Sequence, residues 1–158
     1  MRARRLLTLL LCLFSLLLVG QDRAIVSVGR VISPDVKKEV EQVLRLQQDA
    51  WNRHDLEAFM TGYWSSPELT FFSGAHETSA WQGALERYRK TYQSEGKEMG
   101  KLEFTELRIE PLGSDAAFVR GAWHLTMSDG KAQHGLFTLV FRKFPDGWKI
   151  VHDHTSAE

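Results

Sequence analysis

The apolar residues of this chain change their dominant period after Gly100, and that change dictates the fold class. From Val36 to Tyr92 they recur at three- and four-residue spacing, as an amphipathic helix requires. From Leu102 onward they alternate, as a half-buried strand requires. Three helices with a single short strand before the third, and then a run of strands, predict an α+β domain in which helices cover one face of a mainly antiparallel sheet.

The punctuation divides this pattern into elements. Ser33-Pro34-Asp35 offers an N-cap, a proline at the first helical position and an acid in the first turn, and an apolar stripe follows from Val36 through Leu44 to Trp51, with Gln47 set in it. Asn52-Arg53-His54 breaks this helix, and Asp55 caps a second one with Leu56, Phe59, Met60 and Tyr63 on its inner face. Residues 68–73 read as a short strand and 74–78 as a loop. Ser79 and Gln82 have the spacing of a capping box, which predicts the start of a third helix carrying Trp81, Leu85, Tyr88 and Tyr92 and stopping at Gly96. Leu102 and Phe104 alternate on one parity, Leu107 and Ile109 on the other, so a bulge is expected near Thr105. Further strands are predicted over 116–127, 133–144 and 148–155, joined by turns at Asp129-Gly130 and Asp146-Gly147.

Two-residue loops at both Asp-Gly turns would place residue 125 opposite 134 and residue 141 opposite 152. One face then collects Arg120 and His124, Phe137 and Leu139, and His152 and His154, with Asp153 on the opposite face. Three helices over a curved sheet make that face the wall of a cone, and the polar end of G-W-K-I-V-H-D-H-T-S, residues 147–156, would line its pocket.

The N-terminus carries a different signal. Arg2, Arg4 and Arg5 precede an apolar run from Leu6 to Val19, the layout of a secretory signal peptide, and the run is too short to span a bilayer as a helix. Residues 1–20 are therefore expected to direct export to the periplasm or outside the cell, as a cleaved signal or else as an uncleaved anchor, with 21–33 a linker and 34–158 the domain. Removal of residues 1–20 would take away the lone Cys12 and leave 17 basic against 20 acidic side chains. A chain of that balance, with no basic arm, is not expected to bind nucleic acid. It has no cysteine with which to build a disulfide, and no glycine-rich phosphate loop.

The element order, W-N-R-H-D-L-E-A-F-M-T-G-Y-W at 51–64, L-E-R-Y-R-K-T-Y at 85–92 and the C-terminal stretch resemble the SnoaL-like proteins of the NTF2-like superfamily, and in particular the family of unknown function DUF4440. The final W-x-x-V-H-x-H-x-S is also similar to the end of the association domain of calmodulin-dependent protein kinase II. The resemblance covers roughly residues 34–156. It implies an α+β cone with a deep pocket, commonly a homodimer through the sheet, and no cofactor. It implies no single activity, because one fold hosts many. The ketosteroid isomerase pattern carries over badly: Gln47 stands about where its oxyanion tyrosine belongs, and Phe72 or Ser73 where its basic aspartate belongs. The His-Asp pair of the polyketide cyclases has no counterpart by motif.

The chemistry must come from the candidate residues. His152 and His154 project together from a strand and are the candidates for general acid or base. They equally suit hydrogen bonding to a ligand, and their spacing suits a metal only if a third group such as His124 joins them. No metal is expected. Arg120, if internal, calls for an anionic ligand. Tyr63, Tyr88 and Trp81 sit on inner helix faces, where packing is the default and a pocket wall the alternative, while Asp153 would anchor the strand end or meet a ligand. Two functions result: binding of a small, partly apolar and anionic molecule, or a cofactor-independent isomerase, cyclase or dehydratase working through His152 or His154.

Overall fold

The computed structural model describes residues 34–158. The expected signal segment, the linker and the Ser33 cap lie outside the described residues. Helix α1 (Pro34–Asn52) is followed by α2 (Leu56–Met60), strands β1 (Thr70–Ser73) and β2 (His76–Ser79), and α3 (Trp81–Tyr88), which continues as a π-helical turn over Arg89–Gln93. Strands β3 (Lys101–Pro111), β4 (Ala116–Thr126), β5 (Ala132–Phe144) and β6 (Gly147–Thr155) form an antiparallel meander. The sheet order is β2-β1-β6-β5-β4-β3, with β1 running parallel to β6.

The local sequence explains much of this. The α1 stripe is buried at Val36, Val40, Leu44 and Trp51, as the spacing predicts. Asp55 caps α2 by accepting from the Ala58 backbone N–H at 2.9 Å. Where β3 begins, as the sheet's edge strand, α1 supplies its missing partners. Asn52 Nδ2 donates to the Leu102 carbonyl and its Oδ1 accepts from the Leu102 N–H, at 2.9 and 2.7 Å, while Gln48 Oε1 accepts from the Phe104 N–H. Gly62 brings the end of α2 against α1, because a Cβ there would lie 2.5 Å from Cδ of Gln47. The bulge expected near Thr105 is present, between Thr105 and Arg108, with Glu106 at φ 54°.

Three local expectations are corrected. The stretch read as a loop over 74–78 holds strand β2, paired with β1 across a tight turn. Ser79 ends that strand, so no capping box forms and α3 starts after Ala80 without a side-chain cap. The register across both Asp-Gly turns also differs from expectation, and this correction moves the site.

At the first turn Met127 and Lys131 flank three loop residues, not two: the Lys131 carbonyl accepts from the Met127 N–H, and Gly130 takes φ 81°. That is the three-residue hairpin with a left-handed glycine, and it pairs Leu125 with Gln133. At the second turn Pro145 and Asp146 form the loop and Phe144 pairs with Gly147. Proline suits the first central position because its φ is already set. A bulge then leaves Val151 unpaired between the Phe141–Ile150 and Val140–His152 pairs. One extra residue reverses the parity of everything after it.

The consequence is an inner row Val119–Leu139–Asp153–Phe71 and an outer row Arg120–Thr138–His154–Phe72. Ile150 and Asp153, three apart, both face the helices.

Candidate functional site

Between the helices and the concave face of the sheet lies a cavity of about 180 Å³. Its walls are rich in aromatic rings, including Trp51, Phe59, Phe71 and Tyr92 from the N-terminal half and Trp123 and Phe137 from the meander. The rings meet edge to face: Trp51 packs on Phe59 at 5.1 Å and on Tyr92 at 4.9 Å, and Tyr88 on Phe71 at 5.6 Å. Such offset contacts hold the wall in one arrangement.

Set into this apolar wall is a single carboxylic acid. Asp153 is 4% exposed, and its Oδ2 accepts a hydrogen bond from the Tyr63 hydroxyl at 2.7 Å. With that proton committed, Tyr88, 3.3 Å away, is the donor to the Tyr63 oxygen. The chain Tyr88–Tyr63–Asp153 thus joins α3, the end of α2 and β6. Asp153 Oδ1 is buried without any partner, the one such side-chain atom among the described residues. Burial raises the Asp153 carboxyl from 3.8 to about 7, the Tyr63 hydrogen bond pulling the other way. Burial also pushes both tyrosines well above their usual value, with the Asp153 charge adding to it. A buried acceptor that none of the described residues satisfies, on a carboxyl that burial brings near neutrality, is a feature of functional sites.

Of the residues proposed from sequence, Tyr63, Tyr88 and Asp153 line this cavity; Trp81, Arg120, His124, His152 and His154 do not. Trp81 packs against the core and donates from Nε1 to the Met60 carbonyl at 3.0 Å. The expected interior placement of the two C-terminal histidines is overturned, because the Val151 bulge turns them to the outer face. There His152 Nδ1 lies 2.6 Å from the Thr70 hydroxyl, and both rings meet Phe72 edge-on. Desolvation, with His154 close by, lowers the pKa of His152. Arg120 is exposed on that same face, 3.9 Å from Glu110 and over the Phe118 ring, so no anion in the cavity is needed to balance it. His124 bonds Thr105 at 3.0 Å and stacks on His134. Among the described residues no three His, Cys, Asp or Glu side chains come close enough to hold a metal ion.

Sequence reasoning placed Asp153 outside and missed Arg87 and Trp123 on the wall. For Asp153 no local signal exists, since an unpaired residue in β6 is visible only against β5. Arg87 could have been found: it precedes Tyr88 on α3 and lies three residues past the buried Ala84, at the edge of the apolar stripe.

Comparison with known proteins agrees with this architecture. The SnoaL-like domain family matches over residues 40–158. An NTF-2 like protein of unknown function from Shewanella oneidensis is 36% identical, with a TM-score of 0.71 over 77% of this chain and 98% of that one. An NTF2-like superfamily protein from Salmonella enterica is 25% identical, with a TM-score of 0.61 over 77% and 90%. A ketosteroid isomerase-like protein from Erwinia carotovora shares the fold at 20% identity, with a TM-score of 0.58 over 76% and 94%. Among curated proteins no sequence match is found.

Proposed function

The chain belongs to the SnoaL-like domain family, and from that premise we propose that it binds a small, partly apolar molecule in the cone, held by Asp153 with Tyr63 and Tyr88. The observation that carries this reading is the unpartnered Oδ1 of Asp153 in an aromatic cavity. Leaving a buried carboxylate oxygen unsatisfied costs about 1–3 kcal/mol or more, which a ligand's hydroxyl or N–H donor would recover. Aromatic walls of this kind suit a flat or ring-shaped body. Export by residues 1–20 belongs to the same proposal. So does a homodimer through the outer face of the sheet, which carries Leu136, 60% exposed, and the partly exposed Phe118 and Val140.

Native mass spectrometry of the protein purified from its own host tests the reading. A retained mass is expected, weakened in Asp153→Asn and Tyr63→Phe and unaltered in His154→Ala. Full retention in Asp153→Asn would refute the role of the carboxyl.

A second reading is favoured by the Asp153 carboxyl at about 7. Such a group is partly ionised at neutral pH, as a general base must be. Its free Oδ1 could take a proton from a carbon acid while Tyr63 steadies Oδ2, which is isomerase- or cyclase-type chemistry without a cofactor. In this version Asp153, not His152 or His154, moves the proton. Conversion of the retained molecule on incubation, abolished in Asp153→Asn, separates catalysis from binding.

A further inference from the structure

The inference here rests on the cavity being a ligand site and concerns the class of ligand. Arg87 lines the cavity one residue before Tyr88, half-buried, with its guanidinium over the Phe71 ring at 5.8 Å. Its guanidinium makes no hydrogen bond or ion pair among the described residues. Arg89, two positions on, is ion-paired with Glu57 across the surface, so carboxylates are within reach of this helix and Arg87 does not use one. A guanidinium carries five N–H donors in one plane. The ring contact satisfies none of these donors, so they have no protein partner among the described residues.

Phe71 also fixes where Arg87 stands relative to the acid. Phe71 is the strand neighbour of Asp153, and both side chains face inward. Arg87 thus contacts the ring of the residue paired with Asp153, yet no ion pair joins Arg87 to Asp153, so neither neutralises the other. The cavity wall presents a cation and an acceptor oxygen that no described residue pairs, in a lining that also holds Phe71. A volume of about 180 Å³ is close to the ~150 Å³ that holds a benzene ring in an engineered protein cavity.

We propose that the cavity selects a ring-sized carboxylate: Arg87 takes the carboxylate through its planar fork, and Asp153 Oδ1 accepts a hydrogen bond from a hydroxyl elsewhere on the same molecule. A planar carboxylate matches the guanidinium fork in two parallel hydrogen bonds, which a lysine cannot reproduce. The anionic preference that Arg120 suggested in the sequence is thereby supplied by a residue on the opposite side of the sheet.

Isothermal titration of the full chain with 4-hydroxybenzoate, its uncharged amide 4-hydroxybenzamide, and p-cresol tests this. The wild type is expected to prefer the acid over the amide by roughly tenfold or more, as a charge-assisted hydrogen bond entails. Arg87→Gln should abolish the preference, Arg87→Lys should keep part of it, and Asp153→Asn should weaken acid and amide alike. The wild-type comparison needs no variant, so it holds even if Arg87→Gln fails to fold. Equal affinity for acid and amide while p-cresol binds would overturn the carboxylate inference and leave the cavity reading standing. A preference that survives in Arg87→Gln would overturn it as well. Absence of binding by all three probes at millimolar concentration would overturn both.

Discussion

Replacing Asp153 with asparagine should reverse an ordinary expectation about buried acids and pH. Burial holds this carboxyl at about 7 against an ordinary 3.8. Above about pH 4 the unfolded chain has released the proton, whereas the folded chain keeps it until the pH nears 7. The folded state therefore binds one more proton throughout that window and loses stability as the pH rises. At about 1.4 kcal/mol per unit, the loss over the whole window is about 4 kcal/mol, and roughly 3 kcal/mol of it falls above about pH 5. Asparagine keeps the shape and an acceptor for Tyr63 but has no proton to lose. Urea unfolding of both chains at about pH 5 and about pH 8 should thus show Asp153→Asn gaining roughly 3 kcal/mol relative to wild type. Every other titrating group is common to the two chains and cancels. A difference that stays level between the two pH values would mean an ordinary, solvated or paired carboxylate, and the argument for a ligand acceptor would fall with it.

Tyr63→Phe removes the donor to Asp153 Oδ2 and should cost about 1–3 kcal/mol; because that hydrogen bond lowers the acid's pKa, the pH at which stability is lost should move upward in the same urea series, and an unmoved midpoint would refute the pairing. Asn52→Ala breaks both hydrogen bonds to Leu102 and should destabilise by about 1–3 kcal/mol, seen as a lower urea midpoint with unchanged slope. Gly135→Ala puts a Cβ 1.9 Å from the Ser156 carbonyl oxygen, which also accepts from Trp123 Nε1 at 3.0 Å. The displaced tail should speed exchange of the Trp123 indole proton in NMR spectra, and unchanged exchange would show that the tail does not rest on Gly135.

The order of elements was readable because each rests on neighbours in sequence. Asp55 caps the helix it begins, the α1 stripe needs only its own spacing, and the opposed parities of Leu102 and Leu107 announce the bulge between them. The Ser79–Gln82 signal failed for a tertiary reason: Ser79 pairs with Thr70 in the hairpin, and a residue in a ladder cannot also cap a helix. Tyr63 and Tyr88 were legible as inner-face residues, but nothing local tells a packed tyrosine from one whose hydroxyl meets an acid 90 positions away.

By itself, then, the sequence determined the α+β class, the family, the aromatic character of the interior and the presence of one acid and two histidines at the end of the last strand. Which of these three faces inward was decided only in three dimensions. A strand's faces alternate with every residue, so one unpaired residue at Val151 was enough to exchange them, as the three-residue turn at Ser128–Gly130 exchanged the faces of β4. Parity is a property of pairing between strands, and pairing is written in no single stretch of the chain.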